Sequence, residues 1–566
     1  MLFANLSSAM KNLILYTCLC WGFLAACNTQ TTPAGNDTEE GAEEVTQKKI
    51  TRRNYSISRN NAYTDLFLDS MAMERFMAQN KVPDSLGRRI RSFYNARNYQ
   101  FAWFSSNGLT EQARGFWNLH DYHTTYNHDT LLHNKTLAKR MDAYLTQEEP
   151  RFSATDKNVL HTELTLTEHF IQFTLNEFAD GYVKRKEMER FIPQKKADAV
   201  YLADSLLNKK HKDNKYFEDV HKRYGDLKAQ LSKYIALVKQ GGWGPAIASP
   251  EKSLKKGATN ATVTAIKYRL QLTGDMPGAD TTAVFNDGLV VAVKYFQVRH
   301  GFTPDGVVGA NFIKALNVTP QQRLQQLLMN MERMRWMPNE PTGDLIVVNI
   351  PEFVLHVYDN NKKVFDMAVV VGKEGHNTTM FTGDLNQVVF SPHWNVPSSI
   401  VKDEILPKLA SNPGYLQSQN MEQVGTEGGL PVIRQRPGGE NALGQVKFLF
   451  PNSYNIYFHD TPAKSLFEKD KRAYSHGCIR LSDPYKMAEY LLRNQPEWTP
   501  DKIMEAMNAG TEKFVKLKEP VPVFISYYTA WVDEAGRLNF RDDIYNHDQE
   551  LAQKMFGETS GQLARN

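Results

Sequence analysis

The sequence predicts a multidomain chain: an α-helical scaffold, a small three-helix unit, and a mainly β domain with an inserted capping lid. Three observations carry this. Apolar residues recur at helical spacing up to about residue 336, and from Asp344 the period changes to two. A Gly- and Pro-punctuated stretch breaks the β region between Ile400 and Val446. A chain of 566 residues, at ~150 per domain, has room for about three or four units. With 41% apolar, 23% charged and 11% aromatic residues, this is ordinary globular material, not a disordered, collagen-like or polytopic membrane chain. The formal charge of +4 is too small for a dedicated nucleic-acid binder, so no nucleic-acid partner is expected.

Residues 1–26 read as a signal peptide. Lys11 precedes the apolar run Leu13 to Ala26, which has the length of a signal core and is too short to span ~30 Å of hydrocarbon comfortably. The run ends in Leu24-Ala25-Ala26-Cys27, which resembles a bacterial lipobox; the resemblance implies lipidation of Cys27 and a membrane anchor. Plain secretory cleavage near Ala26 is the alternative. Cys18 and Cys20 leave with the signal, so lipidation of Cys27 leaves Cys478 as the one free thiol, where disulfides are otherwise allowed. Residues 27–53 are polar and cannot form a core, so they read as a flexible tether with a reach of roughly 28 Å.

Residues 54–254 form the scaffold. Tyr63, Leu66, Phe67, Met71, Met73 and Phe76 keep near-helical spacing, as do Leu227, Leu231, Tyr234, Ile235 and Val238. The aromatic cluster from Phe93 to Phe104 reads as core. Residues 255–318 form a small unit with helices through Val263–Leu272, Leu289–Phe296 and Phe312–Leu316. Residues 319–342 read as an amphipathic linker helix stopped by Pro338. Residues 343–530 form the β-rich domain with the lid at 401–445, and 531–566 a C-terminal extension.

The chemistry concentrates in Tyr457-Phe458-His459-Asp460 and Ser475-His476-Gly477-Cys478-Ile479-Arg480. A thiol of pKa ~8.5 is only a few per cent ionised near pH 7, and a neighbouring imidazole lowers that pKa. His459 and His476 are both candidates for that imidazole. The amides of Gly477 and Cys478 are candidates for an oxyanion hole, and Arg480 for holding a substrate carboxylate. Competing readings are a zinc site of His459, His476, Cys478 and Asp460, a buried structural cysteine, and a papain-like peptidase, for which no Cys-Gly-Ser-Cys-Trp-type run is present.

The two segments resemble the signature of the L,D-transpeptidase catalytic domain, a His followed at fixed distance by Ser-His-Gly-Cys-x-Arg. Ser391 to Ile400 and the tail from Ser526 to Asp543 resemble the larger murein members, in which scaffold, peptidoglycan-binding and catalytic domains share one envelope-anchored chain. The string Ala292 to Asn317 likewise resembles a peptidoglycan-binding domain. The resemblance implies Cys478 as nucleophile, His459 as general base, His476 and Ser475 shaping the oxyanion pocket with Gly477, and Arg480, Trp394 and Asn395 lining the substrate cleft. His356, His376 and His393 are left outside the site. The implied reaction is acyl transfer from tetrapeptide stems to the side-chain amine of a neighbouring stem, giving 3→3 cross-links. L,D-carboxypeptidase action and a non-catalytic peptidoglycan tether are the alternatives. No metal or cofactor is expected. The expected partners are peptidoglycan stems and, through Cys27, a membrane; the expected location is the periplasm or cell envelope. Arg434 and Arg436 of the lid are candidate clamps for an acceptor carboxylate.

Overall fold

The structure, a computed structural model, describes residues 49–126, 132–147, 150–177, 191–208, 222–248, 250, 252–338, 343–360 and 362–557. The signal run, Cys27 and almost all of the tether lie outside the described residues. The described residues from Ile50 onward cluster as one compact unit. Among the described residues no helix is long and apolar enough to cross a membrane.

The scaffold contains helices α1 (Ser70–Gln79), α2 (Asp84–Ala96), α3 (Glu111–Tyr126), α4 (Lys135–Leu145), α5 (Lys157–Glu177), α6 (Ala199–Leu207) and α7 (Lys222–Lys239). A two-stranded hairpin, β1 (Phe104–Ser105) and β2 (Gly108–Leu109), sits between α2 and α3. The aromatic cluster is core, as its composition suggests. Phe93, Tyr94, Phe101, Trp103 and Phe104 are all buried, and Trp103 stacks on Phe116 at 5.3 Å. Buried Glu163 accepts the backbone N–H groups of Ala102 (2.6 Å) and Trp103 (3.0 Å), which satisfies a chain segment that water cannot reach.

The small unit packs α8 (Ala261–Thr273), α9 (Asp287–Arg299) and α10 (Ala310–Asn317) around Val263, Ile266, Leu289, Phe296 and Phe312. Asn260 and Asn286 cap the first two helices with their side-chain oxygens, and Gly274 ends α8 in the left-handed conformation.

The segment expected to be an amphipathic linker is instead a central helix. α11 (Pro320–Met334) starts on a capping box between Thr319 and Gln322 with proline at its first position. Every residue of α11 except Gln321 and Gln322 is buried. One side meets α7 and α6; others meet α3, the extension hairpin β15 (Ala530–Val532) and the last helix, α14 (His547–Phe556). Its charged Arg333 is held by Glu111 of the scaffold (2.8 Å) and Asp548 of α14 (2.5 Å), so burial leaves no unpaired ion. The C-terminal segment shares this environment: Phe540, Leu551, Ala552 and Met555 join the scaffold core.

The β domain is a nine-stranded sheet that closes on itself. Its strands are β3 (Leu345–Asn349), β4 (Val354–Asp359), β5 (Lys362–Gly372), β6 (Phe381–Phe390), β10 (Val446–Leu449), β11 (Phe458–His459), β12 (Ala473–Ser475), β13 (Ile479–Leu481) and β14 (Lys513–Ser526). The order is β12-β5-β13-β11-β10-β6-β14-β3-β4, and β4 returns to β5. Closure depends on the length of β5. Its first part pairs with β4, Val369 and Val370 pair with β13, and Val371 and Gly372 pair with β12. α12 (Pro484–Leu492) and α13 (Pro500–Asn508) add Met487, Leu491 and Ile503 to the barrel core. All five residues of β3 are buried because the strand has two apolar neighbours: Ile346 and Val348 face the barrel core, and Leu345 and Val347 pack with Phe524 toward Tyr122 of the scaffold.

The Gly- and Pro-rich insertion has its own sheet, order β7-β9-β8, made of β7 (Trp394–Asn395), β8 (Met421–Glu427) and β9 (Leu430–Gln435). A helical stretch, Ser398–Ile400, Val401–Ile405 and Leu406–Ser411, lies between β7 and β8. Val396, Val401, Ile405 and Ile433 form a separate small core.

Candidate active site

β11 and β13 run parallel, with Phe458 opposite Ile479 and His459 opposite Arg480. Phe458 and Ile479 point into the barrel core and are fully buried. Side chains alternate along a strand, so His459 and Arg480 take the other face, with Tyr457 and Cys478 one step before them. The Ile479 N–H donates to Tyr457 O at 3.1 Å, which sets Cys478 beside Tyr457. The Tyr457 and His459 rings lie 5.7 Å apart on this face. Lys447 of β10 extends the row on the other side of His459.

The turn that carries the thiol is closed by Ser475. Its Oγ donates to Cys478 O (2.5 Å) and accepts from the Gly477 N–H (3.1 Å). Gly477 has φ +113°, a conformation that L side chains rarely adopt, while an added Cβ would meet the Asn377 and His376 carbonyl oxygens only at 3.9 Å, an ordinary contact. Glycine is therefore required here by the backbone rather than by crowding. Because the Gly477 amide is committed to Ser475, the expected pair of oxyanion donors reduces to the Cys478 N–H, which meets no acceptor among the described residues.

His459 is 5% exposed, and its Nδ1 lies 2.5 Å from Asp460 O. A carbonyl only accepts, so Nδ1 carries the proton and Nε2 the lone pair. Burial, then the neighbouring Arg480 and Lys447 charges, push its pKa down to about 3. Cys478 is half-buried, and burial pushes its thiol up to about 11 although Tyr457 and Arg480 act in the opposite sense. The expected activation of the thiol is thus reversed in this structure: both groups are neutral. Among the described residues no hydrogen bond joins them, and Sγ lies 3.6 Å from Asn455 O. Tyr457, whose backbone and hydroxyl both act on the thiol, was missed by sequence reasoning; its alternation with His459 along the strand was the available signal.

His476 reaches the insert. Its Nε2 lies 2.9 Å from Glu404 Oε1 and its ring packs edge-on against His376 at 4.8 Å. Burial lowers its pKa more than Glu404 raises it. His376, set aside on the sequence, therefore belongs beside the motif. Trp394 and Asn395, expected to line the substrate cleft, belong to the insert sheet rather than to the barrel. They form β7, pairing with Gln435 and Arg434 of the insert, and Trp394 packs into the insert core. Arg434 and Arg436 are both occupied by Glu422, at 2.6 Å each, and are not free clamps. Arg480 is different: its Nε is buried without a partner, and no carboxylate of the described residues pairs with it. The zinc set is not assembled. Asp460 is taken by Lys464 (2.6 Å) and the Gln445 N–H (2.9 Å), and among the described residues no three His, Cys, Asp or Glu side chains are grouped to hold a metal ion.

The barrel and its motif lie within a part of the chain that matches a known domain family. Residues 343–523 match the L,D-transpeptidase catalytic domain family (YkuD), residues 88–231 the scaffold domain family, and residues 259–316 the family described as "Putative peptidoglycan binding domain". The chain thus carries an L,D-transpeptidase catalytic domain joined to a scaffold domain and a peptidoglycan-binding domain. A curated protein of Haemophilus influenzae named "Putative L,D-transpeptidase" is 30% identical over 242 residues, which is 40% of this chain and 49% of that protein. The chain therefore spans about half the length of that relative. Two solved structures are similar over part of the chain. An L,D-transpeptidase from Mycobacterium smegmatis is 15% identical, covering 33% of this chain and 60% of that one, with a TM-score of 0.19. One from Stackebrandtia nassauensis is 13% identical, covering 49% and 97%, with a TM-score of 0.22.

Proposed function

We propose that this protein is a murein L,D-transpeptidase that forms 3→3 cross-links, with Cys478 as nucleophile and His459 as general base. The observation that carries the reading is the shared face of β11 and β13, where a lone-pair nitrogen, a thiol and an unpaired guanidinium stand in neighbouring registers. The family matches over the catalytic, scaffold and peptidoglycan-binding domains support the substrate class.

In this mechanism Arg480 takes a carboxylate of the donor tetrapeptide stem. As Sγ attacks the carbonyl of the third residue, the thiol proton passes to Nε2 of His459. Transfer and attack occur together, because a thiol near 11 and an imidazole near 3 do not exchange a proton beforehand. The Cys478 N–H receives the developing oxyanion. Collapse breaks the peptide bond, and His459 returns the proton to the departing D-alanine amine. The side-chain amine of a second stem then attacks the thioester, forms the new amide and restores the thiol. Water in place of the amine gives the carboxypeptidase product. The insert, touching the motif through Glu404, supports shielding of the thioester.

The same reading places the chain in the cell envelope, held by a lipid on Cys27 with residues 28–53 as tether. Muropeptide analysis of isolated wall material treated with the purified protein tests the reaction. Cross-linked dimers are expected from wild type and none from Cys478→Ala. Free tripeptides alone establish the carboxypeptidase, and an unchanged profile establishes a non-catalytic tether.

A further inference from the structure

We infer that Tyr545, in the C-terminal segment beyond the catalytic-domain match, acts through Thr378 as a positioning residue for the oxyanion-binding amide of Cys478. The inference rests on the acyl-transfer reading above.

It begins with a peptide plane. The C=O of Gly477 and the N–H of Cys478 belong to one trans peptide, so they point in opposite directions, and fixing one aims the other. Gly477 cannot fix that plane itself, since glycine has the most permissive backbone of any residue. The structure fixes it from outside. Thr378 Oγ1 donates to Gly477 O at 2.7 Å and accepts from the Gly372 N–H at 2.9 Å. Thr378 is 2% exposed, so water does not compete for either bond.

Thr378 is held in turn by one phenol. Tyr545 OH donates to Gly372 O at 2.6 Å and accepts from the Thr378 N–H at 3.3 Å, clasping both ends of the loop 372–378. That loop is tight: a Cβ on Gly372 would lie 2.0 Å from His376 O. It meets the motif a second time where the Lys373 N–H donates to Ser475 O at 2.9 Å. Tyr545 is 5% exposed and has little freedom of its own. Its N–H donates to Tyr527 OH (3.0 Å), its ring stacks on Tyr527 at 5.7 Å, and Tyr527 OH donates to Asp543 (2.6 Å). A segment outside the matched domain therefore holds the direction of the one amide left for the oxyanion.

The test uses the full chain with Tyr545→Phe, Thr378→Val and Thr378→Ser. Acyl transfer from a tetrapeptide donor builds an oxyanion; alkylation of Cys478 by iodoacetamide does not. Tyr545→Phe and Thr378→Val are expected to lower kcat by ~10- to 100-fold, below the 10²–10³ for complete loss of an oxyanion donor. KM and the alkylation rate at each pH should stay within about twofold of wild type, and Thr378→Ser, which keeps the hydroxyl, should restore kcat. Undiminished kcat in both variants overturns the inference, and so does alkylation falling by the same factor as kcat, which marks a merely structural role. If Tyr545→Phe loses its cooperative melt, the contrast between Thr378→Val and Thr378→Ser decides, and equal kcat in these two overturns the inference. Absence of acyl transfer in wild type overturns the functional reading, and this inference with it.

Discussion

Glu404 of the insert lies 2.9 Å from Nε2 of His476, two residues before the thiol. The pKa of His476 is lowered, chiefly by burial, so near pH 7 the ring is neutral and Nε2–H donates to the carboxylate. The insert is therefore fastened to the motif through its helical stretch, Val401–Ile405, which carries Glu404.

Glu404→Ala tests that fastening. Both partners are partly exposed, so the contact is worth about 0.5–1 kcal/mol, or a ~2- to 5-fold change in closure. The dimer-to-tripeptide ratio in muropeptide analysis should fall by that factor, while acylation of Cys478 by a small activated donor stays unchanged. Replacing residues 402–444 by a short Gly-Ser linker should shift the ratio further in the same direction. An unaltered ratio in a folded shortened protein removes the lid role.

The thiol should alkylate slowly at rest. A pKa of about 11 against the ordinary ~8.5 leaves roughly 10²- to 10³-fold less thiolate at pH 7. Iodoacetamide labelling of Cys478 should be slower than that of free cysteine by about this factor and rise tenfold per pH unit toward pH 11. Labelling as fast as free cysteine would show a thiolate that the buried geometry does not favour.

His459 gives a signed pH dependence of stability. Its folded pKa of about 3 lies below the unfolded value near 6.5, so its contribution is fully present above pH 6.5 and is lost as pH falls toward 3. Denaturant melts across this window should show stability falling with acid, less steeply in His459→Gln. The same substitution should cut acyl transfer by roughly 10²–10⁴-fold, the scale for loss of a general base.

Arg480→Ala should lower kcat/KM for the donor stem by ~10- to 100-fold, the equivalent of about 1.5–3 kcal/mol for a hydrogen bond to a charged group. A donor with its carboxylates amidated should lose the same factor on wild type and nothing further on the variant. Additive losses in that comparison would place the carboxylate elsewhere.

Cys27→Ser should release the chain from the membrane fraction or stall its processing. Mass spectrometry of the mature N-terminus checks the site, and a first residue other than a lipidated Cys27 overturns the anchor.

The sequence by itself determined the kinds of element and the residues that bear chemistry. Periods of 3.6 and two are local properties, so the helices of the small unit and barrel strands such as β4 and β5 were legible from spacing, whereas β3, buried at every position, and the short β12 and β13 were not. The motif residues were legible because a lone thiol with flanking Gly, His and Arg is rare in any context. Tertiary structure decided what those residues face. The Met- and Leu-rich stripe of 320–334 looks amphipathic until Glu111 and Asp548, remote in sequence, neutralise Arg333 and allow the helix to be buried on all sides. Trp394 belongs to the insert because its strand pairs with Gln435, a long-range register that no local pattern encodes. The thiol is raised rather than lowered because desolvation depends on everything packed around it. The hydroxyl of Tyr545 reaches Gly372 because the barrel closes and the C-terminal segment folds back, a juxtaposition that exists only once both have formed.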